Sequence, residues 1–148
     1  MITLAGRGGI GKTSLALAAI HGLSNSDRFG AILWFSARDI DLLQEGPKVV
    51  RPHVLSEADI ADEFVRLMAP AEAMVDGFES IKYLAAALGK SPMGVPLLFA
   101  IDNFETVHSP GELFSWLDTY IRPPNKVLIT TRFRDFKGDY PVDCRRHD

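Results

Sequence analysis

Gly6-Arg7-Gly8-Gly9-Ile10-Gly11-Lys12-Thr13 is the stretch on which the reading of this chain turns. Gly6, Gly11, Lys12 and Thr13 occupy the fixed positions of G-x-x-x-x-G-K-[ST]. Ile2-Thr3-Leu4-Ala5, just before it, reads as a short strand. Thr13 to Leu23, just after it, is rich in alanine and leucine and lacks proline, so it reads as a helix. Gly22 and the polar run Ser24-Asn25-Ser26-Asp27 mark its end. A polyphosphate carries several negative charges that must be held by donors other than water. Glycines let consecutive backbone N–H groups turn inward through dihedrals that a side chain forbids. The positive end of the following helix points to the same place. The spacing predicts a phosphate-binding loop made by Gly6, Gly8, Gly9, Ile10, Gly11, Lys12, Thr13 and Ser14. Lys12 is expected to reach the β- and γ-phosphates, and the Thr13 hydroxyl to supply a ligand for Mg²⁺.

The same residues also satisfy G-x-G-x-x-G through Gly6, Gly8 and Gly11, so a dinucleotide site competes with this reading. Such a site wants an acid at the end of the second strand. Ala31 to Phe35 forms that strand and Ser36-Ala37-Arg38-Asp39 follows, so Asp39 or Arg38 would fill the place. A dinucleotide site has no need of Lys12-Thr13, nor of an acid that ends a third strand.

Further outward, strand and helix signals alternate. Arg38 to Leu55 contains Gly46, Pro47 and Pro52 without a clean period and reads as a long loop. Ser56 with Asp59 resembles a capping box, and Ile60, Phe64, Leu67 and Met68 recur at helical spacing as far as Ala69. A second helix carries Ile81, Leu84, Ala85 and Leu88 and ends at Gly89. Ser109-Pro110 starts another, with Leu113, Trp116, Leu117, Tyr120 and Ile121 as one stripe read as core. Lys126 to Thr131 is a fourth strand, and Tyr140 to Cys144 begins a fifth. The alternation predicts an α/β fold, a three-layer sandwich around a mostly parallel five-stranded sheet. The short first strand and the uncovered last one suggest that residues 1–148, a single nucleotide-binding domain, are truncated at both ends.

Two strand ends carry chemistry. Leu97 to Ile101 is apolar throughout, as suits a strand buried on both faces, and it ends in Asp102. An acid there holds Mg²⁺ in phosphate-loop enzymes. Asn103 follows where many such enzymes have a second acid to activate water. Glu105 substitutes only if a turn brings it round; otherwise it is a solvated loop acid. Loss of a positioned base costs about 10²–10⁴-fold in rate, so slow hydrolysis is expected. Lys126 to Thr131 ends in two hydroxyls followed by Arg132. If this strand lies between the first and third, Arg132 faces the γ-phosphate and senses it through a charge-assisted pair. Arg134 competes for that role.

Composition narrows the class. Of 148 residues, 47% are apolar and 24% charged, enough for a real core. Sixteen basic and 19 acidic residues leave a net charge of −3, which disfavours general nucleic-acid binding. Cys144 is the single cysteine, so no internal disulfide forms. No apolar run approaches the roughly 18 residues of a membrane span, and no signal peptide is visible. A cytoplasmic domain without membrane partners is expected.

Four segments, in order, resemble the nucleotide-binding domain of STAND-class NTPases, the group that includes NB-ARC and NACHT signalling ATPases. They are Gly6 to Thr13 with Ser14-Leu15-Ala16, Ile32-Leu33-Trp34-Phe35-Ser36, Leu97 to Asp102 with Asn103-Phe104-Glu105, and Lys126 to Arg132. The resemblance implies sheet order 5-1-4-3-2, ATP/ADP exchange with Mg²⁺, nucleotide-controlled self-association of the full-length protein, and Arg132 as γ-phosphate sensor. It also implies that adenine-contacting helical and winged-helix regions lie beyond Asp148. The expected function is thus a slow ATPase switch, with Lys12, Asp102, Arg132 and Glu105 as its reactive residues. Two alternatives stand beside it: a fast AAA-like or DNA-dependent ATPase, and a module that holds ADP without hydrolysis.

Overall fold

The computed structural model describes residues 1–37, 40–43, 46–49, 56–136 and 138–145. Five strands form one sheet: β1 (Ile2–Ala5), β2 (Ala31–Ser36), β5 (Leu97–Asp102), β6 (Lys126–Thr131) and β7 (Tyr140–Asp143). Their order is β2-β5-β6-β1-β7, and every pairing is parallel. Counted along this sheet alone, that is the expected 5-1-4-3-2. β1 therefore sits between β6 and β7, and among the described residues β2 pairs with β5 alone. In the dinucleotide fold the first two strands are neighbours, so this topology removes the competing reading. Arg38 and Asp39, on which that reading relied, lie outside the described residues.

Helices cover both faces. On one, α1 (Lys12–Ser24) buries Ala16 against Leu4, Leu98, Ala100 and Leu128. On the other, α2 (Glu57–Met68), α3 (Ser80–Gly89) and α4 (Pro110–Tyr120) enclose a larger core. There Ile60, Phe64, Leu84, Leu88, Leu113 and Leu117 meet Phe35, Phe99, Ile101, Val127 and Ile129. All six residues of β5 are buried, which is why its sequence is apolar without alternation. β7 is exposed along its length and tolerates Pro141, as an edge strand can. No helix among the described residues is long and apolar enough to cross a membrane.

Local signals explain most element ends. The Ser56 hydroxyl accepts the Asp59 N–H at 3.3 Å, the capping box read from sequence. α2 closes at Ala69 in a left-handed conformation just before Pro70. Three expectations need correction. The stretch read as a loop from Arg38 to Leu55 contains an antiparallel pair, β3 (Ile40–Leu43) with β4 (Gly46–Val49), in which Ile40 faces Val49. Both strands of an isolated pair are edge strands, where a proline without an N–H is tolerated, so Gly46 and Pro47 do not prevent it. Ser109 makes no side-chain cap, because it adopts φ 47°; Pro110, with its preset φ, starts α4 instead. The α4 stripe is core only in part: Leu113 and Leu117 are buried, whereas Tyr120 is 41% exposed and leans on the half-buried Trp116.

Candidate functional site

The carboxyl ends of β1, β5 and β6 bring the singled-out residues together. Gly6 continues β1, and its N–H donates to Thr131 O at 3.1 Å, so the loop starts tied to β6. Gly9 and Gly11 have φ of 75° and 92°, which only glycine adopts at little cost; that is how the loop turns into α1. Gly11 O accepts the Leu15 N–H at 2.8 Å and opens the helix. Ile10 packs beside Gly6, and Ser14 is exposed in the first turn of α1.

Lys12 is buried and folds back over the loop. Its ammonium donates to Gly6 O at 2.7 Å and Arg7 O at 2.8 Å, two of its three N–H donors. Burial pulls its pKa below the ordinary lysine value, and the negative charge of Glu105 opposes that shift. Glu105 is therefore electrostatically part of the loop's surroundings.

Asp102, 1% exposed, is the hub. Its Oδ1 accepts the Thr13 hydroxyl at 2.7 Å and the Thr130 hydroxyl at 2.6 Å. Its Oδ2 accepts the Asn103 side-chain amide at 3.2 Å. Thr130 also accepts the Asn103 backbone N–H at 2.9 Å and so links the ends of β5 and β6. Sequence reading noted the two hydroxyls ending β6 without assigning Thr130 this place. The signal was present: period-two alternation puts one of two successive threonines on each face of the sheet, and Thr130 follows Leu128 on the α1 face, where Asp102 follows Leu98 and Ala100.

Glu105 does come round. Asn103 takes a left-handed conformation, φ 56° and ψ 51°, and a 3-10 turn follows over Phe104–Thr106. Phe104 is fully buried against Phe114 and Phe136, so its neighbours are left on the rim. The Thr106 hydroxyl donates to Asn103 O at 2.8 Å and locks the turn. Glu105 Oε2 then accepts the Arg132 backbone N–H at 3.3 Å, and Oε1 lies 3.3 Å from Arg132 Nε. β6 lies between β1 and β5, the condition set for Arg132 to face the loop. A methyl group at Gly8 would stand 3.1 Å from the guanidinium carbon, so Arg132 rests on the glycine loop itself. Arg134 instead lines a cleft of about 280 Å³ with Thr3, Phe136 and Pro141.

The arrangement brings a lysine, an arginine and a glycine-rich turn together, beside a buried carboxylate and a hydroxyl. It suits an anion accompanied by a hard cation. No protein-family model matches the chain, and no curated protein matches it significantly.

Proposed function

We propose that this chain is the nucleotide-binding domain of a phosphate-loop ATPase switch, one that hydrolyses ATP slowly. The observation that carries the reading is the convergence of Lys12, Thr13, Asp102 and the Glu105–Arg132 pair around one loop, at the ends of three adjacent parallel strands. The loop N–H groups and the third Lys12 donor hold the β- and γ-phosphates. Arg132 binds the terminal phosphoryl group through its guanidinium.

The Thr13 hydroxyl and Asp102 carboxylate, 2.7 Å apart, are both hard oxygen donors and fit Mg²⁺. When bound, the ion neutralises charge on the β- and γ-phosphate oxygens. Thr13 then turns its proton away from Asp102 and presents a lone pair. In this reading the Glu105 carboxylate takes a proton from the attacking water. The water oxygen bonds to the γ-phosphorus as the bond to the β-phosphate oxygen breaks, and ADP leaves with that electron pair. Asn103, next to Asp102, cannot share this work, which supports slow turnover. The resemblance of four ordered segments to STAND-class NTPases supports a switch, in which nucleotide state governs self-association of the whole protein. A module that holds ADP without hydrolysis is the second reading. It is favoured by Asn103 and distinguished by a hydrolysis rate at background.

The test is calorimetric titration of ATP with Mg²⁺ into the wild-type chain and Lys12→Ala. Loss of a charge-assisted contact predicts about 10- to 100-fold weaker binding in the variant. Equal affinities would refute the proposal.

A further inference from the structure

Glu105 and Arg132 are paired unequally. The Glu105 side chain is 10% exposed and that of Arg132 is 65% exposed. Glu105 also accepts the Arg132 backbone N–H, a main-chain contact that does not require the guanidinium to stay where it is. The guanidinium meets the carboxylate through Nε at 3.3 Å, and its exposed side chain is free to swing while the main chain is not. The same guanidinium also rests on the loop: a methyl group at Gly8 would stand 3.1 Å from its Cζ and Nη2 and 3.2 Å from Nε. Arg132 thus touches both a carboxylate and the glycine loop, within reach of either.

We infer that this pair is an interlock that reads the γ-phosphate and releases the base. Without a terminal phosphoryl group, Arg132 is parked on Glu105, and the carboxylate oxygen that would take a proton is engaged. A γ-phosphate offers the guanidinium a bidentate, more highly charged partner and draws it forward. Glu105, still held by the Arg132 N–H, is left facing the loop with Oε1 released. ADP ends one phosphate short and leaves the pair closed. The same two side chains therefore set ATP-over-ADP selectivity and confine water activation to the triphosphate state. Glu105 opposes triphosphate binding by competing for Arg132, although it serves the hydrolysis that follows. This inference rests on the phosphate-loop reading above.

The test compares affinities for ADP and for a β,γ-imido ATP analogue, both with Mg²⁺, across the wild type, Lys12→Ala, Glu105→Gln, Arg132→Ala and the Glu105→Gln/Arg132→Ala double variant. Glutamine keeps the size of Glu105 and an acceptor for the Arg132 N–H. Arg132→Ala is expected to weaken the analogue about 10- to 100-fold and to leave ADP unchanged. Glu105→Gln is expected to tighten the analogue about two- to five-fold, the worth of an exposed ion pair, with ADP unchanged. In the Arg132→Ala background that gain disappears. The interlock is overturned if Glu105→Gln weakens the analogue, leaves it unchanged, shifts both nucleotides equally, or keeps its effect in the double variant. Equal binding by wild type and Lys12→Ala would sink the nucleotide reading and the interlock together. A Lys12 effect without a selective Glu105 effect removes the interlock alone. Circular dichroism of each variant separates these outcomes from loss of fold.

Discussion

β5 has a buried polar side chain at each end, and the two are held differently. At its amino end, Asn125 is 2% exposed and bonded only to main chain. Its Oδ1 accepts the Leu97 N–H at 2.9 Å, and its Nδ2 donates to Ala87 O and Leu88 O, both at 3.1 Å. This ties the start of β5 to the end of α3. At the carboxyl end, Asp102 is equally buried, and side-chain donors reach its carboxylate, among them the hydroxyls of Thr13 and Thr130 and the amide of Asn103. Main-chain donors and acceptors cannot turn without moving an element. A hydroxyl rotates and can serve as donor or acceptor. One end is thus a fixed staple, and the other is a set of contacts able to re-form around a ligand.

Breaking the staple has the largest expected effect. Asn125→Ala leaves the Leu97 N–H and the Ala87 carbonyl buried without partners, and is expected to cost about 2–4 kcal/mol in urea unfolding. The fraction still folded should bind nucleotide as the wild type does; weaker binding with intact stability would reverse the contrast. Asp102→Asn should do the opposite. Its amide oxygen still accepts from both threonines, so stability should change by less than about 1 kcal/mol, whereas the Mg²⁺-dependent part of ATP affinity should fall about ten-fold, or ~1.4 kcal/mol. Titrating nucleotide with and without Mg²⁺ measures this. Thr130→Val is the smallest and sharpens the comparison. It deprives the Asn103 N–H of its acceptor and should cost about 1 kcal/mol in stability, with a slight loss of affinity. A large affinity loss would mean that Thr130 acts on the ligand and not through Asp102.

The parts of the site legible in sequence are those whose requirements are local. Gly9 and Gly11 take the positive φ expected of a loop that turns backbone N–H groups inward, and Lys12 opens the helix that follows. The unbroken apolar run of β5 showed that it would be buried on both faces. Glu105 was ambiguous because its place depends on the left-handed turn at Asn103 and on Phe104 choosing the core, neither of which has a periodic signature. The β3–β4 pair was missed because glycine and proline signal a break in one strand and say nothing about a partner strand.

From residue order alone came the glycine turn that opens a helix, the alternation of strand and helix, and the acid that ends a buried strand, since each depends on neighbours within a few positions of the chain. Tertiary structure decided that β6 lies between β1 and β5, that Thr13 meets Asp102 across 89 positions and Thr130 meets it across 28, and that Glu105 holds Arg132 across 27. Those contacts arise from how the strands are ordered in the sheet, and strand order is a property of packing that short-range preferences do not encode.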